Sequence, residues 1–149
     1  MITVELTNPD FGFLATDVNG NTAQFDIAPE QGGQGKGLRP MQTLLAALCS
    51  CSGVDVVIIL KKQRQVIRSF KMKVEGEREP GKEPSLWRKV TLHYELNGEL
   101  EPAKVYRAVD LSVRKYCSVA ETLRRGGATI EWTLTVNGEG YSERESKRV

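Results

Sequence analysis

Three cysteines and a single histidine carry most of the chemical reach of this sequence. Cys49 and Cys51 lie two residues apart in an apolar run, residues 37–60, GLRPMQTLLAALCSCSGVDVVIIL. On a helix that spacing sets them about 200° apart around the axis, so they do not line one site or bond to each other while the helix persists. Cys51 shares its helix face with Leu44, Leu48 and Asp55. A reactive thiol needs a positive setting, and Cys117 has one. It directly precedes Ser118-Val119-Ala120-Glu121, which fits a capping box opening a short helix. The free N–H groups and positive dipole end of that helix predict a lowered pKa for Cys117, with Arg114, Lys115, Arg124 and Arg125 close in sequence. A plain packing role for any of these cysteines stays open at this point.

Other chemistries fit less well. Three cysteines and His93 do not have the spacing of a zinc site. The lone histidine has no G-x-S-x-G elbow to serve, so a Ser-His-Asp hydrolase is not expected. The glycine-rich stretch at residues 28–38, APEQGGQGKGL, lacks the endings of a phosphate-binding loop and reads as a flexible lead-in to the long helix. Lys36, Arg39 and the helix start together are suited to attract an anion. No cofactor and no metal are expected.

The elements that must position these residues follow from periodicity. Ile2, Val4 and Leu6 alternate with polar residues. Residues 11–18 and 22–27 flank Asn19-Gly20, a strong hairpin signal, so three strands open the chain as a meander. The run at 37–60 is apolar on nearly every face, with Pro40 suited to a first turn, and reads as one long buried helix. Two strands follow, at 69–77 and 87–96, and Asn97-Gly98 is expected to end the second. Val90, Leu92, Tyr94 and Leu96 face inward there, and His93 falls on the polar face. A helix near Pro102 carries the stripe Val105, Ala108, Val109, Val113 and Tyr116 at helical period. The short third helix stops at Gly126-Gly127, and Ile130, Trp132, Leu134 and Val136 alternate as a last strand. Residues 1–137 read as a single domain and 138–149 as a polar, fraying tail. Strands and helices do not alternate one for one, which predicts an α+β fold with antiparallel sheets.

Composition bounds the partners. A net charge of +2 is too small to imply nucleic-acid binding, and 27% charged against 40% hydrophobic residues suits a soluble globular protein. The apolar run at 43–60 is broken by Ser50, Ser52, Gly53 and Asp55, which predicts a core helix and no membrane partner. The first residues show no signal-peptide pattern. With an odd cysteine count, this predicts free thiols in a reducing, cytoplasmic setting.

The segment Pro40-Met41-Gln42-Thr43-Leu44-Leu45-Ala46-Ala47-Leu48-Cys49-Ser50-Cys51 closely resembles the helix signature of the OsmC/Ohr family, osmotically inducible protein C and the organic hydroperoxide resistance proteins. That signature starts at Pro and reaches a cysteine eleven residues later, here Cys51. Tyr116-Cys117-Ser118-Val119-Ala120-Glu121-Thr122-Leu123 resembles the family's second cysteine signature. The resemblance covers nearly the whole domain. It implies an OsmC-like fold: antiparallel sheets wrapped around a long central apolar helix, in an intertwined homodimer with active sites at the subunit interface. It also implies a thiol peroxidase acting on organic hydroperoxides in oxidative stress defence. Cys51 would be the peroxidatic thiolate and Cys117 the resolving thiol. The disulfide between them would be reduced by an external thiol or dithiol. The family's well-characterised peroxidases use an early-loop arginine and a glutamate just after the helix proline. This chain has no arginine before Arg39, and Met41 and Gln42 follow Pro40. Arg39 is therefore the candidate thiolate partner and Gln42 its candidate polar support, in a divergent OsmC-like branch. A non-catalytic small-ligand-binding protein and thiol chemistry on other sulfur or oxidant substrates are the alternatives. The role of Cys49 stays open.

Overall fold

Alternating residues and a tight turn build the first unit, Met1–Leu44, as an antiparallel meander: β1 (Ile2–Leu6), β2 (Phe13–Asp17) and β3 (Thr22–Phe25). The structure is a computed structural model that describes residues 1–142. The hairpin forms at Asn19-Gly20 as the sequence predicts. Gly20 takes a positive φ of 84°, which glycine alone adopts without cost. The Asp17 carboxylate fixes the turn by accepting the Asn19 and Asn21 backbone N–H groups at 2.8 and 2.9 Å.

The glycine-rich stretch is not a loose lead-in. Buried Asp26 accepts backbone N–H groups of Ile27, Gln34 and Lys36 at 2.7, 3.1 and 3.2 Å, and so gathers the loop around one carboxylate. A short 3-10 turn, Pro29–Gln31, lies within it. The long helix α1 then runs Pro40–Lys62, starting at the predicted proline.

The second unit begins at Leu45. Its sheet has the order β4-β5-β6-β7, with β4 (Val66–Arg78), β5 (Trp87–Glu99), β6 (Thr129–Val136) and β7 (Glu139–Tyr141). Between β5 and β6 come α2 (Pro102–Leu111), a π turn (Ser112–Tyr116) and α3 (Ser118–Arg125). That helical crossover returns the chain to the end of the sheet where β5 began, so β6 pairs parallel to β5. The expectation of purely antiparallel sheets fails at this one pair. Asn97-Gly98 does not end a strand either: β5 continues to Glu99, with Gly98 at φ 149° opposite a bulge in β4. Part of the expected fraying tail forms β7 against β6, and its residues 143–149 lie outside the described residues.

The core of this unit lies where inward β5 residues meet the helices. Val90, Leu92, Tyr94 and Leu96 are fully buried, as their alternation predicts, and meet Leu48, Val56 and Leu60 of α1 and Val105, Ala108 and Val109 of α2. Gly53 lets α1 approach β4 closely, since a Cβ there would stand 2.7 Å from the Met72 methyl carbon. The helix is not buried all round within one chain. Leu44, Val54 and Ile58 are 42%, 59% and 46% exposed. By length and composition α1 is able to cross a membrane, yet Leu48, Ser52, Val56 and Leu60 are fully buried in the fold.

Candidate active site

Two elements carry the thiols. Cys51 sits mid-way along α1, half-buried, and Cys117 sits between the π turn and α3, 2% exposed. A π turn closes its hydrogen bonds one residue later than an α-helix, so a helical stripe slips out of phase past it. This explains why Val113 is buried while Tyr116, expected on the same stripe, is 50% exposed. The turn ends with the Cys117 N–H donating to the Ser112 carbonyl at 2.9 Å. Cys117 then leaves helical geometry, at φ −70° and ψ 105°, and becomes the N-cap of α3 itself. Its sulfur accepts the Ala120 N–H at 3.4 Å. The predicted capping residue, Ser118, is therefore the first residue inside the helix.

The structure brings the two predicted thiols together. The Cys51 and Cys117 thiols lie near enough to act on each other electrostatically, and both are free. The expected low pKa of Cys117 is corrected. Burial pushes its thiol up to about 11, and the neighbouring Cys51 sulfur pushes the same way against the Ala120 N–H. Desolvation outweighs the helix N-terminus here because the sulfur is sealed from water. Cys117 is thus held in its protonated form at neutral pH. Cys49 is half-buried on another part of α1, and burial raises its thiol too.

A chain of hydroxyls that motif reading passed over lies against the thiol pair. Ser52 and Ser112 are both 0% exposed, with their Oγ atoms 2.9 Å apart. Ser112 Oγ donates to Asp55 Oδ2 at 2.9 Å, and Ser52 Oγ lies 2.6 Å from Tyr94 Oη. Burial, first of all, drives the Tyr94 phenol well above its usual value. One signal for this chain was present: Ser112 is a polar residue set within the apolar face of α2 and its continuation.

Arg39 and Gln42, the other candidate site residues, lie in the first unit. The Gln42 side-chain oxygen accepts the Arg39 backbone N–H at 3.1 Å, the reciprocal bond of a capping box at the start of α1. The Arg39 side chain is exposed. His93 lies on the polar sheet face, its Nδ1 2.8 Å from Thr133 Oγ1. Among the described residues no three His, Cys, Asp or Glu side chains gather closely enough to hold a metal ion. A cleft of about 340 Å³ opens beside Cys117, rimmed by Lys115, Tyr116, Glu121 and Arg125. A larger one of about 1000 Å³, lined by Tyr106, Trp132 and Tyr141, contains neither thiol in its walls.

Residues 33–133 match the family of OsmC-like proteins. Protein YhfA of Escherichia coli K12 is 44% identical over 87 residues, which is 58% of this chain and 64% of that protein. A hypothetical protein from Aquifex aeolicus VF5 has a similar crystal structure, at 33% identity and a TM-score of 0.75, over 92% of this chain and 96% of that one. An organic hydroperoxide resistance protein OsmC from Legionella pneumophila shares the fold at 17% identity and a TM-score of 0.68, over 91% and 96% of the two chains.

Proposed function

The chain belongs to the OsmC-like protein family, whose members are related to hydroperoxide resistance and redox proteins, and from this premise we propose that it is a thiol peroxidase for organic hydroperoxides in oxidative stress defence. The observation that carries the reading is that the Cys51 and Cys117 thiols, far apart in sequence, are neighbours in the fold. In the first step the Cys51 thiolate attacks the O–O bond. A sulfur–oxygen bond forms, the O–O bond breaks, the alcohol leaves with a proton, and Cys51 becomes a sulfenic acid. In the second step the Cys117 sulfur attacks the Cys51 sulfur. The S–S bond forms, the S–O bond breaks, and the Cys117 proton leaves with the hydroxyl group as water. An external thiol or dithiol reduces the disulfide. A protonated Cys117 suits this order, because it holds its nucleophile back until the sulfenic acid exists.

Arg39 supplies the positive charge for the Cys51 thiolate in this proposal, with Gln42 as its polar support. The protein works as an intertwined homodimer with its active sites at the subunit interface and α1 at its centre. The exposed Val54 and Ile58 on α1 and Ile2, Val4 and Leu6 on β1 support this, since apolar faces of that kind call for cover. Free thiols support a reducing, cytoplasmic setting, with no membrane or nucleic-acid partner.

The test is a steady-state assay of hydroperoxide loss with a dithiol reductant. Wild type turns over and Cys51→Ser is inactive; in a separate reaction without reductant, Cys117→Ser reduces about one equivalent and stalls as a sulfenic acid. A Cys51→Ser chain as active as wild type would remove the reading. The second reading, a non-catalytic ligand-binding protein, draws on the aromatic-lined cleft of about 1000 Å³. Copurified ligand in native mass spectra, together with peroxide-inert thiols, would favour it.

A further inference from the structure

The peroxidase cycle uses two sulfurs and leaves the buried hydroxyl chain without a role. That chain is costly unless every member is bonded, and a core of apolar residues would pack without it. A hydroxyl has one proton to give. Ser112 Oγ directs its proton toward both the Asp55 carboxylate and Ser52 Oγ, and Ser52 Oγ pairs in turn with Tyr94 Oη at 2.6 Å. The run thus ends on an acceptor-only group, with each polar atom satisfied.

Its position is what gives it meaning. Ser52 follows Cys51 directly on α1. Ser112 opens the π turn, and its carbonyl accepts the Cys117 N–H at 2.9 Å. A closed ring results. The peptide bond joins Cys51 to Ser52, paired hydroxyls join Ser52 to Ser112, the backbone bond joins Ser112 to Cys117, and the neighbouring thiols of Cys117 and Cys51 close it. Three of its four links are fixed by groups other than the reacting sulfurs.

We propose that Ser112, anchored by Asp55 and Ser52, is a positioning residue that fixes the approach of Cys117 to Cys51 and so sets the strength of the disulfide between them. The proposal rests on the peroxidase reading only in taking these two thiols as a redox pair. Preorganisation raises the effective concentration of one thiol beside the other, and the disulfide equilibrium reads that quantity without any peroxide.

The experiment equilibrates the full chain in glutathione redox buffers and measures the oxidised fraction of the pair by alkylation and mass spectrometry. Ser112→Ala is expected to shift the equilibrium constant about tenfold toward the dithiol, roughly 30 mV for a two-electron couple. Asp55→Ala, at a half-exposed position that tolerates truncation, moves it the same way and carries the test alone if Ser112→Ala does not fold. Asp55→Asn, whose amide oxygen still accepts, keeps the wild-type constant. Leu60→Ala, a core truncation near the far end of α1, destabilises the fold and leaves the constant in place. Wild-type constants in Asp55→Ala and in any folded Ser112→Ala overturn this inference alone. A wild-type chain that forms no Cys51–Cys117 disulfide in any buffer overturns the peroxidase reading and this inference with it.

Discussion

Cys117 shows how two local effects compete at one atom. The start of α3 offers its sulfur an N–H donor, and burial withdraws it from water. Burial wins, and the thiol rises from an ordinary 9.0 to about 11. The folded state therefore favours the protonated thiol. That contribution to stability is complete below pH 9 and is lost as pH climbs through about 11. The expected outcome is a melting temperature that falls between pH 9 and 11, with a smaller fall in Cys117→Ala; equal falls in both chains would contradict the assignment. At this scale the cysteine motifs were legible, because Pro40 to Cys51 and Tyr116 to Leu123 carry their own spacing. The pKa of Cys117 was not, because sequence displays the helix start and hides the depth of burial. Ser52, Ser112 and Tyr94 were illegible as a set. Nothing in a one-letter string says that residues so far apart share protons.

At the scale of elements, the π turn decides which residues meet. A regular helix through residues 112–116 would keep Tyr116 on the apolar stripe and rotate Cys117 away from α1. Deleting Lys115, an exposed residue of that turn, is expected to restore α-helical phase and abolish disulfide formation by a mild thiol oxidant. Helix content by circular dichroism should stay near wild type, and an undiminished disulfide yield would count against the π turn's role. Apolar periodicity made α1, α2 and the inward face of β5 readable, since each repeats over several turns or pairs. The π turn was not readable, because one extra residue in a helix leaves no mark in composition. The parallel β5–β6 pair was missed for a related reason. Strand direction depends on where α2 and α3 return the chain, which alternation within β6 does not encode.

Over the whole molecule, apolar surface remains on α1 and on β1 in a single chain. An isolated patch of one or two apolar residues needs no partner, but Val54 and Ile58 lie one helical turn apart on the same face. In the proposed homodimer that face is covered. Val54→Asp with Ile58→Asp is expected to convert a chain that sediments at twice its own mass into one that sediments at that mass. A wild-type protein that is monomeric at assay concentration would remove the dimer from the account. The α+β class was open to reading from the order of elements, whereas division into units at Leu44 and Leu45 had no signal in linker composition, since the boundary falls inside α1.

The most direct measurement is peptide mapping by mass spectrometry after reduced protein meets one equivalent of an organic hydroperoxide. The account predicts a single new disulfide, Cys51–Cys117, with Cys49 still alkylatable. Recovery of both Cys51 and Cys117 as free thiols, or a disulfide that takes in Cys49 instead, would contradict it.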